Sequence, residues 1–140
     1  MSNTELPFNA IRFSQGVDLR DSLESWCKAD GVDAAAIVSV VGSLKVANIR
    51  FAGAQEPKTL DGPFEIVSCV GTLGCKGIHV HICLSDRDGK VIGGHLSSGS
   101  IVHTTAEIVL CNLSQEWLFD RVFDEATGYP ELEPVRKKND

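Results

Sequence analysis

The chain has 140 residues, 43% of them hydrophobic and 23% charged, and its mean hydropathy is +0.02. A chain of this size and composition is typical of one globular domain with its own core, which argues against a disordered or fibrous protein. The net charge is −6, and the only basic cluster lies at 136–138, so the sequence lacks the cationic surface of a free-standing nucleic-acid binder.

The sequence is expected to form a single domain over residues 1–140, with a core at about 8–133 and a short flexible tail at 134–140. No apolar run approaches the roughly 20 residues that span a bilayer. The N-terminal MSNTELPFNA lacks the features of a signal peptide, and the five cysteines include no C-x-x-C pair. These features predict a cytoplasmic protein whose cysteines are mostly small buried hydrophobes.

The first predicted element is a helix that begins after Asp18, a residue suited to the N-cap position. Its apolar stripe consists of Leu19, Leu23, Trp26 and Cys27. Most of the remaining chain is predicted as strands, because apolar segments are bounded by Gly, Asp, Pro or Ser. These segments are 34–42, 45–53, 63–73, 77–85, 90–96 and 100–111, with further strand signals near residue 12 and at 116–123.

The spacers between these strands are short, which favours antiparallel hairpins over parallel crossovers. The expected fold class is α/β of the α+β type, with a largely antiparallel sheet of about seven strands and a helix covering one face.

Three of the four histidines lie within GIHVHICLSDRDGKVIGGHL, residues 77–96. Because strand side chains alternate, His79 and His81 share one face while Val80 and Ile82 point to the core. The register of the hairpin decides whether His95 joins them. A two-residue turn at Asp88-Gly89 would place His95 on the opposite face. A three-residue loop with Gly89 in the left-handed conformation, or a bulge at 93–94, would place it beside His81.

If the three histidines converge, they form a typical set of ligands for a divalent metal, usually zinc, with one position open to water or substrate. The alternative is a group of exposed or hydrogen-bonded strand histidines. His103 alternates with Thr105 and Glu107 on a later strand, where a polar face open to solvent is the simpler interpretation.

Several motifs resemble the plants-and-prokaryotes-conserved domain, abbreviated PPC. They are GPFEIVSCVGTL, the hairpin H-x-H-I-x-L-S-D-x-x-G-x-V-x-G-G-H-L, S-x-I-V-H-T-T-A-E-I-V-L and FDEATGYPEL, and they extend over about residues 8–133. The stretch VVGSLKVANIRFA also resembles the family's Gly-Ser turn followed by a strand that ends at Arg50.

The resemblance implies a PPC fold, a homotrimer and a prokaryotic single-domain protein. Plant members carry an AT-hook, which would insert arginine into the minor groove, but this chain has no Arg-Gly-Arg-Pro. Plant members also lack the hairpin histidines, so the resemblance favours a zinc site at His79, His81 and His95 that is unrelated to the plant function.

Residues 63–67 match a partner-recruiting motif of plant members, but Gly62-Pro63 replaces the Gly-Arg of that motif. A sheet strand explains these residues better.

Two functions follow as hypotheses. One is a trimeric DNA-binding or regulatory module, in which any DNA association is weak or indirect. The other is a zinc-dependent enzyme or small-ligand binding protein, in which Glu107 is the candidate general base. Arg50 and the backbone N–H groups of Gly93 and Gly94 are candidates for holding an anionic group, although such a glycine pair also fits close contact between strands. A third hypothesis makes the metal a structural element at a subunit contact.

Overall fold

A computed structural model describes residues 6–138. Within this range there are eight strands and one helix: β1 Phe8–Ser14, α1 Leu19–Ala29, β2 Ala35–Arg50, β3 Lys58–Gly74, β4 Gly77–Ser85, β5 Val91–Leu96, β6 Ile101–Asn112, β7 Trp117–Asp124 and β8 Tyr129–Arg136.

Six strands form one antiparallel sheet in the order β1-β6-β2-β3-β4-β5, while β7 and β8 form a separate two-stranded sheet. The end of β2 also pairs with β5, where Ile49 lies opposite Leu96 and Arg50 lies opposite His95. Strands β2 to β5 therefore close on themselves like a small barrel, with the core on the inside. The expected α+β class and largely antiparallel sheet are confirmed.

Helix α1 covers the core as its apolar stripe predicts. The Asp18 carboxylate accepts a hydrogen bond from the backbone N–H of Asp21 at 3.0 Å, which caps the first turn. Leu19, Leu23 and Cys27 are fully buried, and Trp26 packs at the edge of the core. The core continues through the inward-facing strand residues, among them Leu44, Ile49, Leu73, Val80, Ile82, Leu84, Leu96, Ile108 and Leu110.

The two predicted strands 34–42 and 45–53 form one continuous strand, β2. The prediction of a Gly-Ser turn at Gly42-Ser43 is therefore wrong. Gly42 is instead a point of close approach between β2 and β6, because a Cβ atom there would overlap the carbonyl oxygen of Thr105. Residues 63–67 lie within β3, and Phe64 and Ile66 are buried, which agrees with the interpretation of this segment as a sheet strand.

Residues 134–136 of the expected tail at 134–140 belong to a strand. Strand β8 extends to Arg136, and Lys137 Nζ contacts both Asp33 Oδ2 and the carbonyl oxygen of Ser114 at 2.6 Å. Residues 139–140 lie outside the described range. Strand β8 was not predicted because Pro130 and Pro134 interrupt its pattern. As an edge strand paired only with β7, β8 tolerates the missing N–H donors.

The cysteines partly match the expectation of small buried hydrophobes. All five are free thiols; Cys27 and Cys69 are buried, and the other three are half-buried. Burial raises the pKa of both Cys27 and Cys69 to about 12, so their thiols stay protonated and unreactive near neutral pH. No helix in residues 6–138 is long and apolar enough to cross a membrane.

Candidate metal centre

The turn between β4 and β5 sets the register of the histidine hairpin. Asp86 N–H donates to the Lys90 carbonyl at 2.9 Å, which encloses a three-residue loop, and Gly89 adopts a φ of 77°. The Asp86 carboxylate accepts from the backbone N–H groups of Asp88 and Lys90, both at 2.9 Å. His81 consequently lies directly opposite His95, so the three-residue loop with a left-handed Gly89 is confirmed.

The three histidines converge on the outer face of the sheet. Their candidate ligand nitrogens lie within 4.8 Å of one another, and His79 Nε2 and His81 Nε2 are 3.1 Å apart. Two nitrogens bound to one tetrahedral zinc ion at roughly 2.0–2.1 Å would be separated by about 3.3 Å. The His79–His81 spacing therefore suits a shared ion, and the candidate nitrogen of His95 lies within 4.8 Å of both.

The environment of the cluster favours the neutral form of two imidazoles, those of His79 and His95. Burial, assisted by the nearby positive charge of Arg50, lowers the pKa of His95 to about 4. Burial and the neighbouring His81 also lower the pKa of His79. His95 Nδ1 is buried and has no hydrogen-bond partner among the described residues. Neutral nitrogens, one of them unpaired, are chemically suited to a metal ion.

The remaining candidate residues are distributed differently. Glu107 lies on β6, and the two strands β2 and β3 separate β6 from β4. Three strand spacings correspond to about 14 Å. On the side where β2 also pairs with β5, Glu107 lies opposite Val41, nine residues along β2 from Arg50, the partner of His95. Glu107 therefore does not reach the histidine cluster within one chain. His103 is also on β6, and the described residues place only His79, His81 and His95 in the cluster.

Gly93 and Gly94 are explained by strand packing. A Cβ atom at Gly93 would overlap the carbonyl oxygen of Ile82, and one at Gly94 would lie 2.7 Å from the carbonyl oxygen of Arg50. Neither glycine lines a cavity next to the histidines. The alternative of close contact between strands therefore accounts for the pair.

Arg50, by contrast, lines a cavity of about 480 Å³ that adjoins the histidine cluster. Strands β7 and β8 form one of its walls, and their contribution could not be recognised in the sequence because it depends on how this hairpin packs. The lining residues are Arg20, Arg50, Lys76, Gly77, Ile78, His79, His95, Arg121, Tyr129, Pro130 and Glu131. A second cavity of about 370 Å³ borders His79 and His81 from the side of Val70 and Thr72. Solvent and small molecules can thus reach the cluster.

Comparison with known proteins identifies the family. The model for the Plants and Prokaryotes Conserved domain, also abbreviated PCC, matches residues 4–114, which is most of the chain. The chain belongs to the PPC domain family. The bifunctional protein GlmU of Synechococcus sp. (strain JA-3-3Ab) is 40% identical over 122 residues, which are 87% of this chain and 20% of that protein. The chain thus spans about a fifth of the length of this curated relative.

Solved structures share this PPC fold. A hypothetical protein from Salmonella enterica is 33% identical with a TM-score of 0.89, over 94% of both chains. A metal-containing protein from Archaeoglobus fulgidus is 29% identical with a TM-score of 0.72, over 90% of this chain and 92% of that one. A protein from Bacteroides thetaiotaomicron, provisionally described as DNA-binding, is 20% identical with a TM-score of 0.81 over 91% of both chains, a likeness that shows the fold alone.

Proposed function

We propose that this PPC-domain protein binds one divalent metal ion, zinc, through His79, His81 and His95. The convergence of three imidazoles from two strands carries the proposal. Three histidine ligands leave a fourth tetrahedral position for water or a small ligand, which is the arrangement of zinc sites that act on ligands. The related structure from Archaeoglobus fulgidus, described as metal-containing, supports a metal in this fold.

The metal centre favours small-ligand binding or zinc-dependent chemistry over a purely structural role. Two cavities border the cluster, whereas a structural zinc site is normally closed by a fourth protein ligand. A bound zinc ion would supply Lewis acidity toward a water or a ligand oxygen. Glu131 lines the larger cavity, so this carboxylate replaces Glu107 as the candidate to accept a proton there.

Self-association into a homotrimer is part of the same proposal, in the cytoplasmic location expected from the sequence. Val38, Val41, Val67 and Val70, on the two central strands β2 and β3, are each more than half exposed. Val70 lies directly opposite His81, so this apolar surface is continuous with the metal centre. Exposed apolar patches of this kind mark contacts with other proteins, and a second copy of the chain is the partner that the PPC family implies.

The proposal is tested by elemental analysis of the untagged chain purified without chelator. The expected result is about one zinc ion per chain, because the site offers one set of three ligands. Light scattering before and after removal of the metal then separates the roles. A trimer that persists without metal agrees with a ligand-binding centre, and a trimer that dissociates indicates a structural ion. A chain free of metal after incubation with zinc would contradict the proposal.

DNA association is expected to be weak and strongly dependent on salt, because the net charge is −6 and the chain carries no AT-hook. Fluorescence anisotropy with a labelled A·T-rich duplex, measured at low and at physiological salt, checks this expectation. Tight sequence-specific binding at physiological salt would make a DNA-binding module the better interpretation. It would show that a local basic surface of the protein contributes more to DNA affinity than the net charge of the whole chain.

A further inference from the structure

The larger cavity beside the histidine cluster is strongly cationic. Four basic side chains line it, Arg20, Arg50, Lys76 and Arg121, against a single carboxylate, that of Glu131. This concentration of positive charge occurs in a chain whose net charge is −6. Like charges gathered around one concave space repel one another, so the arrangement is unfavourable unless an anion enters.

Three of these side chains, those of Arg50, Lys76 and Arg121, form no ion pair with a carboxylate among residues 6–138. Arg20 Nη1 lies 3.7 Å from both Asp21 Oδ1 and Glu24 Oε2, so the positive charge of Arg20 is partly balanced. Across residues 6–138, neither Arg50 nor Arg121 forms an ion pair. Their guanidinium groups are therefore available to a ligand.

Arg50 is positioned without using most of its hydrogen-bonding capacity. Its guanidinium group lies 5.7 Å from the centre of the Tyr129 ring, and Nη1 donates one long hydrogen bond of 3.4 Å to the Ala54 carbonyl. A guanidinium group has five N–H donors in a planar fork that matches the oxygens of a carboxylate or a phosphate. The Tyr129 ring thus orients the fork and leaves it free to bind.

Arg121 contains a buried donor with no acceptor. Its Nη2 donates to Thr72 Oγ1 at 3.0 Å, while Nε is buried and unpaired. Its side chain also packs over Gly77, with Cγ 3.4 Å from the position that a Cβ atom would occupy there. The Nη1 group of the same guanidinium makes no hydrogen bond among residues 6–138 and is not one of the buried unpaired atoms, so it is the donor that Arg121 can offer to an oxyanion in the cavity.

From these contacts we infer that the cavity is an oxyanion subsite, in which Arg50 and Arg121 hold the carboxylate or phosphate group of a small ligand. His79 and His95 line the same cavity, so one molecule can place its anionic group on the arginines and a second oxygen or nitrogen near the metal. The volume of about 480 Å³ suits a compact metabolite. The inference rests on the proposed metal centre for the second contact but not for the first.

The test uses isothermal titration calorimetry on the full chain, freed of metal and kept at low salt, with inorganic phosphate and acetate as separate probes. We expect saturable binding of at least one probe, and the tighter one identifies the anion class. Arg50→Gln and Arg121→Gln should each weaken that binding by about 10-fold or more, since each removes charge-assisted hydrogen bonds. Lys76 is exposed, so Lys76→Gln gives a smaller loss without risk to folding.

Arg87→Gln is the matched control, because Arg87 is exposed in the β4–β5 loop and does not line the cavity. Absence of binding by both probes, or equal loss in the control, would overturn the subsite. His81→Ala separates this inference from the metal proposal, since His81 belongs to the histidine cluster but does not line this cavity. Phosphate or acetate binding that survives in His81→Ala supports the subsite even if zinc binding fails. Zinc binding without anion binding refutes the subsite alone.

Discussion

Replacing His81 with alanine should lower the zinc content from about one ion per chain to a trace, with at least a 100-fold loss of zinc affinity. Removing even an outer-shell partner of a metal ligand typically costs about 10- to 100-fold in affinity, and His81 is itself a proposed ligand. Its Nε2 lies 3.1 Å from His79 Nε2, so its loss leaves two nitrogens to hold the ion. Elemental analysis and competition with a chromogenic chelator measure the effect.

The fold should tolerate this substitution. The His81 side chain is exposed on the outer face of β4, and exposed positions usually change the free energy of unfolding by less than about 0.5 kcal/mol. His103→Ala provides the control, since His103 is a half-buried strand histidine outside the cluster. Full zinc retention in His81→Ala, or an equal loss in His103→Ala, would show that the ion is held elsewhere.

Gly94→Ala should lower the free energy of unfolding by about 3 kcal/mol, the upper end of the usual range for overpacking. A Cβ atom at Gly94 would lie 2.7 Å from the Arg50 carbonyl oxygen and 2.9 Å from Ile49 Cγ2. Both residues belong to the end of β2 that pairs with β5, so the methyl group must separate these strands. Urea denaturation monitored by circular dichroism measures the loss.

The same substitution should weaken zinc binding although it changes no ligand. His95 follows Gly94 directly and pairs with Arg50, so a displaced β5 carries His95 away from the other two rings. Gly16→Ala is the comparison, because Gly16 has a φ of 88° and no neighbouring atom within 4 Å of its Cβ position. The free energy of unfolding of that variant should fall by only about 1–2 kcal/mol, because alanine is strained in the left-handed conformation, and zinc binding should be unchanged. A Gly94→Ala protein with wild-type stability and zinc affinity would contradict the close-packing explanation.

Local sequence patterns were sufficient to predict those features of the fold that depend on residues near one another in the chain. The Asp18 cap and the stripe at Leu19, Leu23 and Cys27 predicted α1, because helix caps and helical periodicity act over a few residues. The alternation of side chains along a strand likewise predicted that His79 and His81 lie on the face opposite to the buried Val80 and Ile82. The hairpin histidines with their doubled glycine and the following TTAE carried the family assignment.

The tertiary structure decided what depends on distant segments. From the sequence, both registers of the β4–β5 hairpin were open, and the left-handed Gly89 with its Asp86 contacts selected the one that brings His95 to His81. Glu107 shares the polar character of a site residue but lies across two intervening strands, a separation that no alternation pattern along one strand reveals.

By itself, the sequence determined the helix, most strands, the family and the three candidate ligands, since each rests on residues close together in the chain. The cationic cavity was decided only by the tertiary structure. Arg121 and Tyr129 come from a hairpin that packs beside β3 and β4, where Arg121 contacts Thr72 from 49 positions away. Such contacts depend on which surfaces the whole chain can bury together, and the local periodicity of β7 and β8 does not specify their partner.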